Sequence, residues 1–495
     1  MMRAARGERS FKGTCGLFTC LLVLACQPET PAPRLSAGEP ETPAPQLSAG
    51  EPETPAPELP AGVPPSPQLP STPQVPPTPQ QEVPTGRSWY VSRTGSDGAA
   101  GTRQAPLRTI GRAVALARPG EVIRVLPGVY AETLLLESKG SGVAAVTLRG
   151  EGSPRPMLVP GNKTRSAVLR VQGRWNLENL QIDVGGARMF AVLFDSTASH
   201  CFLSGSELKG GTSGAGVLVE GARNITVQNN SIHHFIKPGT DAHGVAVVGP
   251  SRGLVIRNND IHHNSGDSIQ CQGNVAPVEN VLIEGNTLHD EGENAVDLKG
   301  CRHVVMRDNT VYGFPNAAVR PVGSSAGEAV VIHQSASHIL IQGNTISRAG
   351  RGVSLLHASP LSEDVRVADN HFQDIRNMPE GNGQAVRIES ARRVWVEGNT
   401  IENTASYGLM LAADGSAVEG LVVRNNILRG GTRPFLLRLG PSSSRPGALL
   451  EDNHYAEGGV LKADGVLEQL TLSSPEKLEV WRKALGGDEG ATLLE

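Results

Sequence analysis

The chain has 495 residues, of which 38% are hydrophobic, 4% aromatic and 19% charged, with a formal net charge of −4. This mildly acidic balance, without a Lys/Arg cluster, excludes a strongly basic nucleic-acid binder, and no run of 18 apolar residues is present to span a membrane. Six cysteines, none in a C-x-x-C pair, are too few for a disulfide scaffold, whereas 58 glycines and 36 prolines point to a turn-rich β protein with one large domain.

Arg3, Arg6, Arg9 and Lys12 precede an apolar stretch from Cys15 to Ala25, too short to cross a bilayer, so residues 1–25 are expected to be an export signal. The stretch ends Leu22-Val23-Leu24-Ala25-Cys26, which resembles the lipobox of bacterial lipoproteins. The resemblance implies cleavage before Cys26 and lipidation of that residue, hence an exported protein anchored to the cell envelope, at the outer membrane or cell surface, with release to the outside as the alternative. Residues 26–87 form a Pro-rich linker that opens with the repeat ETPAPRLSAGEP, ETPAPQLSAGEP, ETPAPELPAGVP. Proline bars helix and central strand there, and at about 3.1 Å per residue in polyproline II the tract reaches on the order of 150 Å.

Residues 88–460 carry internal repetition. Ile225-Thr-Val-Gln-Asn-Asn230-Ser-Ile232, Leu254-Val-Ile-Arg-Asn-Asn259-Asp-Ile261 and Val281-Leu-Ile-Glu-Gly-Asn286-Thr-Leu288 share one pattern, which continues through Asn309, Asn344, Asn370, Asn399, Asn426 and Asn453. The asparagines recur at intervals of 29, 27, 23, 35, 26, 29, 27 and 27 residues, with a second short alternating segment between them. Two or three short strands in a unit of about 27 residues match one coil of an all-β, right-handed parallel β-helix, in which equivalent strands pair about 4.8 Å apart. The asparagines are expected to stack at a bend, where their amides tolerate left-handed geometry and bond along the stack.

Both ends of a solenoid need covers. Ile110, Val114 and Ala117 give an apolar face to 109–117, an expected N-terminal cap helix. In the C-terminal cap, residues 461–495, Ser474-Pro475-Glu476 starts a helix with Leu478, Trp481 and Leu485 on one face and Gly486 as its stop. The segments Trp89–Asp97, Gly101–Pro106 and Pro119–Tyr130, with Trp481 and Gly486-Gly487-Asp488 at the far end, resemble secreted β-helix proteins of the pectate, alginate and chondroitin lyase kind. The resemblance spans nearly all of 88–490. It implies the fold strongly and the substrate weakly, because one fold hosts lyases, hydrolases, epimerases and non-enzymes.

Aligning the second strands puts Val245, Ile269, Val296, Val330, Val353, Val386 and Leu409 in one inward column, and Val247, Cys271, Leu298, Ile332, Leu355, Ile388 and Leu411 in the next. Period-2 alternation then turns Ala246/Val248, Gln270/Gln272, Asp297/Lys299, Val331/His333, Ser354/Leu356, Arg387/Glu389 and Met410/Ala412 outward. Asp241, His243, Asp267, Glu293 and Asn294 lie at the preceding bend. The ends of this face are bland and its middle is polar, as a groove for a sugar chain would be. A solvated face is the bland alternative.

A polysaccharide lyase removes the proton α to a uronate carboxylate and expels the glycosidic oxygen. Asp267, Glu293 and Asp297 are the oxygen ligands that would suit calcium. A lysine base titrates near 10 unless neighbours lower it. In β-helix lyases an acidic cluster precedes a basic lysine on the same strand. The resemblance therefore implies Lys299 as base and Arg387 as an aid to the developing enolate, with Gln270, Gln272, His333, Glu389 and His243 contacting substrate; an exposed Asp297–Lys299 ion pair is the alternative. Asp241-Ala-His243 is similar to the Asp-Pro-His element of alginate epimerases, with Ala242 in place of proline.

His233-His234, His262-His263 and His289-Asp290 follow three successive ladder asparagines. Stacking would bring their rings about 5 Å apart, where histidines could bind a transition metal, but no single coil closes a full ligand set, so they are read as polar turn positions with metal binding as the alternative. Cys271 is expected inward as a small hydrophobe, and Cys201 and Cys301 fall on other columns. The expected function is that of a monomeric, envelope-anchored polysaccharide lyase acting on an acidic polysaccharide with calcium, without nucleic acid. A non-catalytic glycan or protein binder, and a hydrolase or C5-epimerase on the same fold, are the alternatives.

Overall fold

The computed structural model describes residues 84–138, 144–321, 325–378, 382–414, 416–431 and 433–494. These fall in one compact unit that begins at residue 65. The segment expected to be an export signal, Cys26 and the Pro-rich tract up to residue 83 lie outside the described residues.

A typical coil runs through three short strands: His243–Val248, Ser251–Arg257 and Asp260–His262. The next repeats the set as Ile269–Gln272, Val278–Glu284 and Thr287–His289. Equivalent strands pair in parallel from coil to coil, and among the described residues they build three sheets of 14 strands, here sheet C, sheet A and sheet B in the order of the three strands just named. Leu467–Thr471 closes sheet C antiparallel to Val460–Ala463, and Thr492–Leu494 returns to add a parallel strand to sheet B.

The β-helix follows from the alternation of side chains. In sheet C, Val245, Ile269, Val296, Val330, Val353, Val386 and Leu409 pair in one unbroken row, and all are fully buried. Each buried aliphatic side chain stabilises the fold by about 1.5–3 kcal/mol relative to exposure, an upper estimate because the unfolded chain is partly collapsed.

The asparagine stack runs from Asn230 to Asn453. Each side-chain amide donates to the Oδ1 of the next asparagine at 2.9–3.0 Å, and each backbone N–H donates to that same oxygen at 2.9–3.2 Å. The left-handed residue is not the ladder asparagine but the one before it: Asn229, Asn258, Asp308, Asp369, Asn425 and Asp452 have φ of 53–56°, and Gly285, Gly343 and Gly398 stand at the remaining coils. Gly, Asn and Asp meet that turn at the least steric cost, which leaves the buried asparagine free to bond along the stack.

Helix α1, Ile110–Leu116, covers the N-terminal end, with the Thr109 side chain accepting from the Arg112 N–H. Helix α2, Pro475–Leu485, covers the other end with Leu478 and Trp481 buried and Gly486 left-handed at its stop. Asp488 completes the C-terminal cap: its Oδ1 accepts from Asn453, and its Oδ2 from the Tyr455 hydroxyl and the Trp481 indole.

Cys271 departs from its expected role. It is disulfide-bonded to Cys301, because the inward end of its strand lies beside the turn after the next coil's equivalent strand, with Cα atoms 6.3 Å apart. Cys201 is the free cysteine among the described residues. Burial pushes its thiol up to about 12, so it is no nucleophile.

Candidate active site

The outward residues of sheet C fall in the expected register: Ala246, Gln270, Asp297, Val331, Ser354, Arg387 and Met410 form one row, and Val248, Gln272, Lys299 and His333 the next. The middle of this face is a recess: Gln270 and Asp297 are buried although they point away from the core.

Asp297 is at its centre. Its Oδ2 lies 2.9 Å from Lys299 Nζ and its Oδ1 2.9 Å from Nε2 of His333, one coil away. Burial opposes its charge, but the hydrogen bond from His333 and the lysine outweigh burial and hold the carboxyl below its ordinary value. Burial works against the Lys299 charge as well, yet Asp297, with Asp267 and Glu293 behind it, raises the ammonium above its ordinary value.

Deeper in the recess the balance reverses. Asp267 is fully buried and accepts from the Asn294 side chain at 3.0 Å and from Gln270 at 3.4 Å, with His243 Nδ1 3.1 Å from its Oδ2. Burial dominates and raises its carboxyl. Glu291, also fully buried, accepts from Ser268 Oγ at 2.8 Å and Asn264 Nδ2 at 3.0 Å, and burial lifts it well above the carboxylate range. Glu293 is pushed up to about 9 by burial and by the nearby Asp267 and Asp241. That shift, which Arg320 opposes, favours the protonated form at neutral pH.

Arg320 closes one side. Its guanidinium bonds Asp241, and the same Nη1 lies 3.2 Å from Glu293. Arg320 belongs to the segment 313–327 between strands Thr310–Tyr312 and Glu328–His333, which makes the interval from Asn309 to Asn344 the longest of the ladder. Arg320 and Glu291 escape a search by alternation: the first sits on an inserted loop and the second in a turn. The 35-residue interval was the available signal for the first.

Of the expected residues, His243, Asp267, Gln270, Gln272, Glu293, Asp297, Lys299 and His333 thus come together. Arg387 and Glu389 do not join them. They pair with each other at 2.9 Å, Arg387 also meets Asp414, and their strand lies three steps from that of Lys299, about 14 Å along the stack.

The expected calcium ligands do not fit a cation in this arrangement. Asp267 is engaged by Asn294, Gln270 and His243, Asp297 by Lys299 and His333, and Glu293 by Arg320. Lys299 and Arg320 already supply two positive charges among these carboxylates. No chemistry is assigned to calcium here.

A family model described as the right-handed β-helix region matches residues 168–333 and 327–428, together more than half of the chain. The chain belongs to the right-handed β-helix family. A second model, of a protein of unknown function (DUF1565), matches residues 93–153 of this β-helix protein. No curated protein matches it in sequence. Solved structures similar in fold include pectate lyase Pel9A, at 15% identity and a TM-score of 0.41 over 74% of this chain and 80% of that one. An alginate lyase from Paenibacillus sp. str. FPU-7 is 14% identical, with a TM-score of 0.42 over 63% of this chain and 94% of that one. PfbA, a surface adhesin of Streptococcus pneumoniae, is 12% identical, with a TM-score of 0.48 over 68% and 88%. Their likeness is one of fold.

Proposed function

We propose that the recess on sheet C binds an acidic polysaccharide and cleaves it by β-elimination. The arrangement that carries this reading is Asp297 held between Lys299 and His333, beside a Glu293 whose carboxyl is raised to about 9 by burial and by neighbouring carboxylates. Glu293 and Asp297, whose environments drive their acidities apart, leave a proton donor beside a carboxylate that orients His333.

The roles are as follows. Lys299 and Arg320 neutralise the uronate carboxylate and stabilise the enolate that forms when its α-proton leaves. His333, oriented through Nε2 by the Asp297 carboxylate, takes that proton on its other ring nitrogen. The electron pair of the broken C–H bond forms the new carbon–carbon double bond, and the glycosidic C–O bond breaks. Glu293 donates its proton to the departing oxygen, so one proton is taken up and one released. Lys299 is here the fixed cation rather than the base, because its pairing with Asp297 stabilises the protonated form.

A screen of uronate polymers tests this directly, since elimination leaves an unsaturated product that absorbs in the ultraviolet. Activity is expected to survive a chelator, because no carboxylate of the recess is spare for calcium. Loss on chelation with recovery on added calcium would restore the metal-dependent scheme. Glycan binding without product would favour a binding module.

We also propose that the chain is exported and held at the cell envelope by lipid on Cys26. The Cys271–Cys301 disulfide supports an oxidising destination. Cys26→Ser is expected to move the protein from the membrane fraction to the soluble one with the β-helix still folded, because the Pro-rich spacer separates lipid from fold. Unchanged detergent partitioning would count against the anchor.

A further inference from the structure

Sheet B carries a second constellation, apart from the recess. Its strands Ser231–His233, Asp260–His262, Thr287–His289 and Thr310–Tyr312 pair so that His233, His262, His289 and Tyr312 occupy one register position. The rings stack at centroid distances of 4.8 Å at each of the three steps. That is the strand spacing itself.

The residue after each histidine brings a second donor to the same place. His234, His263 and Asp290 are left-handed, with φ of 58°, 56° and 55°. A continuing strand would send consecutive side chains to opposite faces. The left-handed turn instead lets both converge: Nδ1 of His233 lies 2.7 Å from Nδ1 of His234, Nδ1 of His262 lies 2.9 Å from Nδ1 of His263, and Nδ1 of His289 lies 2.8 Å from Asp290 Oδ2. Each coil therefore presents a pair of adjacent donors, and the pairs repeat along the stack.

One coil holds too few ligands, but two neighbouring coils hold enough. The donor atoms of His263, His289 and Asp290 all lie within 4.8 Å of one another, and His262 adds a fourth donor beside His263. Ligands around a tetrahedral ion with bonds of about 2.0–2.1 Å stand roughly 3.3 Å apart, so side-chain rotation must shorten separations of up to 4.8 Å by at most about 1.5 Å to close the set. Asp260 approaches the other ring nitrogen of His289 at 3.0 Å, the position from which a carboxylate orients a ligating imidazole. His289 is partly open to solvent, which leaves an entry path.

We propose that His262, His263, His289 and Asp290 form a site for a divalent transition-metal ion, with Asp260 as the orienting carboxylate. Three imidazoles and one carboxylate suit zinc, copper or nickel rather than calcium or magnesium, which take oxygen ligands. The site lies on a different sheet from Asp297 and shares no residue with the recess, so it stands or falls independently of the elimination chemistry.

Isothermal titration of zinc into the full chain, purified without a histidine tag and stripped with chelator, tests the proposal. One equivalent per chain is expected, with cobalt giving the visible absorption of a tetrahedral complex. His289→Ala and, as a more conservative change, Asp290→Asn should each weaken zinc binding by about tenfold or more. His303→Ala, which removes a ring tilted against that of His338 elsewhere on the solenoid, should leave it unchanged. Absence of saturable binding by the parent would overturn the site, as would a His289→Ala or Asp290→Asn protein that binds zinc like the parent.

Discussion

Replacing His333 by alanine is expected to lower turnover on a degraded uronate polymer by about 10²–10⁴-fold, the range for loss of a positioned proton acceptor. Folding should be unaffected, because His333 points outward from sheet C and its strand partners are made by backbone groups. Lys299 gives the contrasting case. If it acts as a fixed cation, Lys299→Ala loses activity but Lys299→Arg recovers part of it, since the charge returns without a group that can take a proton at working pH. If it is the base, arginine rescues nothing. The pH profile supplies a separate check. Glu293 must be protonated to donate, so activity should fall as pH rises through about 9, and Glu293→Gln should remove that alkaline limb together with most turnover. A retained limb in Glu293→Gln would assign the proton donor elsewhere.

The largest expected effect on stability belongs to the ladder. Asn309 Oδ1 accepts from the backbone and side chain of Asn286, while its own amide donates to Asn344 Oδ1 and to the carbonyls of Ile283 and Arg307. Leucine has a similar volume but none of these bonds. It leaves the backbone and side-chain donors of Asn286 without that acceptor, at about 1–3 kcal/mol for each such group, while Asn344 Oδ1 keeps the backbone N–H of residue 309, so Asn309→Leu should cost roughly 2–5 kcal/mol. Chemical denaturation read by circular dichroism would show a lower midpoint. An unchanged midpoint would mean that the stack relaxes or admits water at that coil.

The fold was legible because a solenoid repeats one local rule. Period-2 alternation alone aligned seven strands of sheet C, from Val245 to Leu409, without a slip, since a slip of one residue would have turned every aliphatic side chain outward. The outward side chains of the recess were legible for the same reason. What escaped breaks the repeat. Arg320 reaches the site from an inserted loop, Glu291 is buried in a turn, and the Cys271–Cys301 bond joins two different positions of adjacent coils. Acidity was the other hidden quantity. Asp267, Glu293 and Asp297 are alike as letters, and only burial and their partners separate the raised pair from the lowered one.

The asparagine stack has a direction. Every amide oxygen receives from the coil before it, and every amide nitrogen gives to the next side-chain acceptor toward the C-terminal end as well as to a backbone carbonyl of the coil before, so the side-chain bonds run one way, starting with the Ser206 N–H on Asn230 and finishing on the acceptor-only carboxylate of Asp488. An internal coil consumes one acceptor and supplies another, so duplicating or deleting such a unit leaves the chain of donors balanced. Asp488 is the full stop: a further asparagine coil placed beyond it would meet no amide to hand on. The length of the array is thus set by how many copies lie between two fixed ends, while the recess stays on the few coils that carry Asp267, Asp297 and His333.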